Sequence, residues 1–193
     1  MKSAFAAAAL AAVLCVGGAQ AQDMRRVSGA TLRPDGLGPV RIDMTVAEAQ
    51  RALGRGWELL APLEEGDPNG CRMLTPGGGE GSVQFMVENM RIVRAEIVPN
   101  DGMVPPTAGS ERGIHIGSTE ADVRRAYGRS LVAEPHNYLG LPARYLTVWT
   151  VRPRRGEDFD HGARGVRFVT DEHRRVTEMF GGDTAIRYIE GCA

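Results

Sequence analysis

Arg41-Ile-Asp-Met-Thr-Val-Ala-Glu-Ala-Gln-Arg-Ala-Leu-Gly54 returns 74 positions later as His115-Ile-Gly-Ser-Thr-Glu-Ala-Asp-Val-Arg-Arg-Ala-Tyr-Gly128. Ile, Thr, Ala, Arg, Ala and Gly coincide, and Glu48/Asp122 and Leu53/Tyr127 are conservative exchanges. Each copy carries the signals of a complete short helix. Thr45 and Thr119 stand as N-caps, with Glu48 and Asp122 three residues on to close a capping box. Gly54 and Gly128 sit where a left-handed C-cap belongs. Between the caps Ala49, Ala52 and Leu53 share one face, as do Val123, Ala126 and Tyr127.

Working outward, a second correspondence follows each helix. Ser82–Ile97 aligns with Gly165–Phe180 at a shift of 83, with Val, Phe, Arg and Val in register. In both, two runs alternate apolar and polar around a polar tip, Glu88-Asn89 or Asp171-Glu172, which predicts a β-hairpin. The longer shift places the extra residues of the second copy in the loop Arg152–Gly165. Further strands are expected at Trp57–Ala61, Cys71–Thr75, Leu131–Glu134, Tyr145–Val151 and Ala185–Glu190. Pro99–Arg112, rich in Pro, Gly, Asn and Ser, reads as a linker. The expected fold class is therefore α+β, with two tandem repeats, residues 22–98 and 113–193. Each packs a short helical layer on one face of an antiparallel sheet, the two sheets standing either separately or as one continuous curved sheet.

The 116–128 stretch resembles the helix motif of the small outer-membrane assembly lipoprotein (SmpA/OmlA) fold. Its tandem use is similar to the β-lactamase inhibitory protein family and to exported bacterial proteins of uncharacterised role. The resemblance implies paired helices on a curved sheet used for binding other proteins. It transfers no functional residue.

The N-terminus reads as an export signal. Lys2 precedes an apolar run, Ala4–Val16, broken by Gly17-Gly18, and Ala19-Gln20-Ala21 offers the small–x–small cleavage pattern. Residues 1–21 are the expected signal peptide, and a periplasmic or secreted location follows. A membrane anchor is the competing reading, but the run is short of the roughly 20 residues that span a bilayer. Cys15 would suit a lipoprotein, but Leu14 stands where a small residue is required. No other stretch is apolar enough to insert, so no membrane insertion is expected after cleavage.

All 23 basic side chains except Lys2 are arginines, set against 24 acids. That near-balance leaves no basic footprint for nucleic acid. After cleavage only Cys71 and Cys192 remain. In an oxidising compartment an isolated pair reads as a disulfide; a free catalytic thiol and a metal ligand are the alternatives. A bridge closing so long a loop is worth about 3–5 kcal/mol by loop-closure entropy.

No catalytic or cofactor motif is present, so neither an enzyme activity nor a cofactor is expected: there is no Gly-x-Ser-x-Gly elbow, HExxH or P-loop lysine. Gly77–Gly81 leads into a strand instead of a helix, which suits a flexible loop better than a phosphate cradle. Glu157-Asp158-Phe159-Asp160-His161 is the densest set of potential metal ligands. Arg152, Arg154, Arg155 and Arg164 flank it, and a charged loop that pairs internally is the plainer reading. His115, His136 and His173 have no identifiable partner.

Alternation over Tyr145–Val151 puts Tyr145, Thr147, Trp149 and Val151 on one face and Leu146 and Val148 on the other. If helices cover Leu146 and Val148, then Tyr145 and Trp149 stand on an open face with Met86, Arg94 and Arg167. Exposed aromatic and Arg side chains are what binding hot spots use; burial of Trp149 in the core is the competing reading. His136-Asn-Tyr138 extends that surface. The leading expectation is a non-enzymatic module binding an extracytoplasmic protein, an enzyme inhibitor being one form. A small-ligand or glycan binder stacking on Tyr145 and Trp149 is the alternative, and an enzyme using the 157–161 loop comes third.

Overall fold

A computed structural model describes residue 27 and residues 29–60, 70–77, 82–99 and 107–192. The signal segment, Ala61 and most of the Gly77–Gly81 loop lie outside these. Among the described residues the fold is α+β, with two sheets and two short helices. No helix among the described residues is long and apolar enough to cross a membrane.

Both helices form where their caps predict. In α1 (Val46–Leu53) the Thr45 hydroxyl accepts from Glu48 N at 3.3 Å, and Glu48 accepts from Thr45 N at 2.8 Å. In α2 (Glu120–Tyr127) the same exchange runs between Thr119 and Asp122, at 3.2 and 2.9 Å. Gly54 and Gly128 end the helices with φ of 96° and 57°, but ψ of −165° and −132° takes them out of the left-handed helical region. The chain thus leaves in an extended glycine conformation, not the expected left-handed cap.

The large sheet runs in the order β4 (Trp57–Leu59), β5 (Arg72–Pro76), β6 (Val83–Glu88), β7 (Arg91–Ile97), β12 (Val176–Gly182), β11 (Arg164–Thr170), β10 (Arg144–Val151), β9 (Leu131–Pro135). Every neighbour is antiparallel. At the central seam Met179 pairs with Ile97 and Gly181 with Ala95. One face carries cross-strand apolar rows: Leu146–Phe168–Met179–Ile97–Val83 and Val148–Val166–Gly181–Ala95–Phe85–Leu74. Val46, Ala49 and Leu53 of α1, and Val123 and Tyr127 of α2, are buried in the same core.

Both helices dock through identical backbone bonds. Asp43 N donates to Ile92 O, Ile92 N to Met44 O, and Val46 N to Met90 O. Gly117 N likewise donates to Val176 O, Val176 N to Ser118 O, and Glu120 N to Arg174 O. Asp43 and Gly117 both have positive φ, 71° and 85°. The structural equivalent of Val176 is therefore Ile92 and not Val93, because the 171–175 turn holds one more residue than its counterpart.

Two segments differ from the sequence expectation. Residues 31–41 form three short strands, β1 (Thr31–Arg33), β2 (Gly36–Leu37) and β3 (Val40–Arg41). With β8 (Gly109–Ser110), from the end of the expected linker, they make a second sheet in the order β3-β2-β1-β8. Its Leu32, Leu37 and Val40 join the main core. Close contact with the large sheet requires Gly181, where a Cβ would lie 2.3 Å from Arg33 O. Second, Ala185–Glu190 is not a strand. Asp183 accepts from Ala185 N at 2.7 Å and starts a 3-10 turn over Thr184–Arg187, so local capping overrides the alternating pattern.

Candidate binding surface

The opposite face of the sheet is built from the residues between the core rows. Tyr145, Val169 and Glu178 form one cross-strand row; Thr147, Arg167, Phe180, Glu96 and Gln84 form the next; Trp149, Gly165, Gly182, Arg94 and Met86 the third. The alternation thus brings Tyr145, Trp149, Met86, Arg94 and Arg167 to one face as the sequence indicates. The face is not open, however. Tyr145 is 5% exposed, Arg167 4%, Arg94 3% and Met86 fully buried, while Trp149 is half-buried.

The C-terminal segment closes it. Arg94 Nη1 donates to Ala185 O at 2.8 Å and to Tyr188 O at 2.9 Å. Its Nε donates to Glu96 at 2.7 Å, and its guanidinium lies 4.6 Å over the Phe180 ring. Gln84 donates to the other Glu96 oxygen at 2.8 Å. Cys71 and Cys192 stand at bonding distance with their Cα atoms 5.2 Å apart, which ties the end of this strap to the start of β5. Arg167 donates to Thr147 at 2.9 Å and to Glu134 at 3.0 Å, and burial lowers its pKa to about 10. Tyr145 is engaged by Arg167, 4.7 Å above its ring, and by His136, stacked at 4.7 Å.

The 152–164 loop is held by its own charges. Asp160 accepts from Arg154 N at 2.8 Å and Gly162 N at 2.9 Å, and the Arg154 guanidinium holds its carboxyl down to about 2. Its backbone N donates to Thr184 at 2.8 Å, pinning the loop to the strap. His161 Nδ1 lies 2.7 Å from the buried Asp183 carboxylate. Among the described residues no group of three or more His, Cys, Asp or Glu is arranged to hold a metal ion. His115 bonds Ala108 O at 2.9 Å, and His173 is exposed beside Glu172.

The His161–Asp183 bond raises the imidazole pKa above its ordinary 6.5. Burial raises Asp183, and burial followed by the Asp183 charge raises Glu88. A raised folded-state pKa means the folded form binds the extra proton, so the His161 contribution is full below 6.5 and lost as pH rises through the folded value. His161→Gln should therefore lower stability most on the acid side of 6.5 and converge with the wild type on the alkaline side. Urea unfolding across that range checks it; a gap that widens with rising pH would contradict the assignment.

With the sheet face covered, the exposed aromatic surface lies at its rim. Tyr138 is 66% exposed, Phe159 67% and Ile189 41%. They line one groove of about 440 Å³ together with Tyr188, Glu88 and Glu190. Phe159 meets Tyr188 edge-on at 5.9 Å, and the Tyr138 hydroxyl donates to Glu190. Tyr188 donates to Glu88. Each wall is anchored: Asp160 fixes the loop carrying Phe159, and the disulfide fixes the segment carrying Ile189. Sequence reasoning reached Tyr138 but not Phe159 or Ile189. The available signal was a phenylalanine between two aspartates in a loop too charged to be core.

Comparison of the chain with protein-family models, with curated proteins and with solved structures returned no match.

Proposed function

We propose that the chain is an exported, non-enzymatic protein-binding module that grips its partner in the Tyr138–Phe159–Ile189 groove. Inhibition of an extracytoplasmic enzyme is the form of this role we favour. The observation that carries it is the presence of three large apolar side chains, each more than 40% exposed, on one anchored groove. Monomeric proteins seldom present clustered apolar side chains without a partner, and rigid aromatic anchors lose little entropy on binding. Glu88 and Glu190 line the groove and no described arginine does, so an apolar partner segment flanked by positive charge is complementary.

In this reading the two halves are tandem copies of one unit, sharing a single continuous sheet. The matching helix-docking bonds and the self-complementary seam, Met179–Ile97 and Gly181–Ala95, support the duplication. The disulfide pair suits an oxidising compartment outside the cytoplasm. A glycan binder stacking on Tyr145 has less support, because His136 and Arg167 already engage that ring.

The test is capture from an envelope extract with wild-type chain and with Phe159→Asp, followed by hydrogen-exchange footprinting of the recovered complex. Recovery that depends on Phe159, with protection at 138–141, 159 and 188–190, is expected. A partner recovered equally by both proteins would place the interface elsewhere.

A further inference from the structure

The loop 136–143, which carries Tyr138 into the groove wall, is closed by two kinds of bond. At its base His136 N donates to Ala143 O at 3.0 Å, and Gly140 N donates to His136 O at 2.8 Å. The first turn is held by a side chain instead. His136 Nδ1 accepts from Tyr138 N at 3.2 Å and from Leu139 N at 3.3 Å. Tyr138, Leu139 and Leu141 are each more than half exposed, and the Tyr138 hydroxyl reaches across to Glu190 of the strap. Side chains so exposed bring little packing to fix the backbone. The two bonds to Nδ1 therefore aim Tyr138.

A backbone N–H can only donate, so both bonds require a bare Nδ1, with the imidazole neutral and its proton on Nε2. Protonation makes Nδ1 a donor facing two other donors. The bonds at the base do not titrate, so the effect of the proton falls on the turn that carries Tyr138. The ring itself keeps its seat, because it stacks on Tyr145 at 4.7 Å and an aromatic face accepts a cation.

Charged and titratable groups reach the ring from every neighbouring element. Glu134 lies two residues back on β9 and is bonded to Arg167 of β11, whose guanidinium is 4.7 Å over Tyr145 of β10. Arg144 of β10 pairs with Pro135 but turns its side chain to Glu120. Glu178 of β12 and Tyr188 of the strap line the same cavity as His136, and the Tyr138 ring is 6.2 Å away. The carboxylates favour a charged imidazole and Arg167 opposes it; burial prevails and lowers the His136 pKa below its ordinary 6.5. The unfolded chain then takes up the proton more readily. The contribution of the neutral ring is full above 6.5 and is lost as pH falls from there through the lower folded value, opposite in sign to that of His161.

Resting on the groove reading, we propose that His136 is a proton-operated latch on the groove wall, which sets Tyr138 for the partner when neutral and frees the turn, and the partner, when protonated. One pH unit below the midpoint the neutral fraction is about one-tenth, so a partner that binds only the latched form loses about tenfold in affinity there.

The test is a pH titration of the disulfide-bonded chain by NMR, reading the His136 ring nitrogens and the Tyr138 and Leu139 amides. His136→Asn puts an uncharged acceptor close to the position of Nδ1, and His136→Phe keeps the stack without an acceptor; thermal melts show that each variant folds. In the wild type the ring should titrate with a midpoint below 6.5 and both amides should move with it. In His136→Asn the amides should hold their neutral-pH positions, and in His136→Phe they should rest near the acid positions throughout. Amides that ignore the ring titration, or that move equally in His136→Asn, would overturn the latch. Capture from envelope extract at the two ends of the titration reads the consequence. Recovery should fall about tenfold in acid for the wild type and hold for His136→Asn. Equal loss in both would assign the pH effect to other groups, such as Glu88 or His161, and overturn the regulation. The latch is read on the free chain and the groove by capture that depends on Phe159, so the failure of one is distinct from the failure of the other.

Discussion

Gly182→Ala is expected to destabilise the chain by about 3 kcal/mol or more, at or beyond the top of the usual overpacking range. Gly182 pairs with Arg94 across the seam and with Gly165 in β11. A Cβ there would stand 2.3 Å from Val93 O and 3.0 Å from Arg94 Cα. Both are backbone atoms of the central strand β7, so no side-chain rotation relieves the clash. Relief requires β7 and β12 to part, which opens the seam joining the two halves of the sheet. Gly156, with nothing within 4 Å of a built Cβ, gives the comparison. Its alanine variant carries only the strain of a φ of 84°. Urea unfolding of both variants checks the difference; a Gly182→Ala loss no larger than that of Gly156→Ala would show that the seam yields easily.

Arg94→Met is the second large effect, expected at about 3–5 kcal/mol. The Arg94–Glu96 pair is almost completely excluded from solvent, at 2.6 Å, on the covered face of the sheet. Removing the guanidinium leaves Glu96 with Gln84 as its remaining side-chain partner, and an unneutralised buried carboxylate is far costlier than a lost surface pair. It also withdraws both donors that hold Ala185 O and Tyr188 O, so the strap loses its polar anchor. The double variant Arg94→Met/Glu96→Leu removes the stranded charge. It should recover most of the loss, because replacing a buried pair by apolar groups of similar volume is often near neutral. A double variant no more stable than Arg94→Met would indicate that the strap anchor, not the charge, carries the energy.

The sequence made part of this legible. Both helices were readable because each is bounded by its own caps, Thr45 with Glu48 and Thr119 with Asp122, which act locally and survive any tertiary context. The hairpins were readable from alternation around polar tips. The small sheet was not, because strands of two or three residues such as Gly36–Leu37 and Gly109–Ser110 are too short to show a period. Their pairing is set by what lies across from them.

The candidate surface illustrates a different limit. Alternation sorted Tyr145–Trp149 between the two faces, while a bulge after Trp149 sets Val151 opposite Arg164 and out of the expected row; a period, moreover, cannot say which face a later segment will cover. The tail that covers it read as a strand, since Tyr188 and Ile189 continue an apolar pattern. What redirected it was one buried side chain, Asp183, capping Ala185. Once the tail crosses the sheet, Arg94 and Arg167 become interior residues, and the exposed aromatics move to the rim. Phe159 could have been found from its setting, because Asp158, Asp160 and the arginines at 152, 154, 155 and 164 make that loop too charged to be core.

The most direct measurement is the affinity of the recovered partner for wild-type chain and for Phe159→Ala. Phe159 makes one edge contact with Tyr188 and is otherwise exposed, so the substitution changes the surface without disturbing the core. A hot-spot anchor is expected to cost about 2 kcal/mol, roughly a 30-fold loss in affinity. Unchanged affinity in a folded Phe159→Ala chain would contradict the groove as the binding surface.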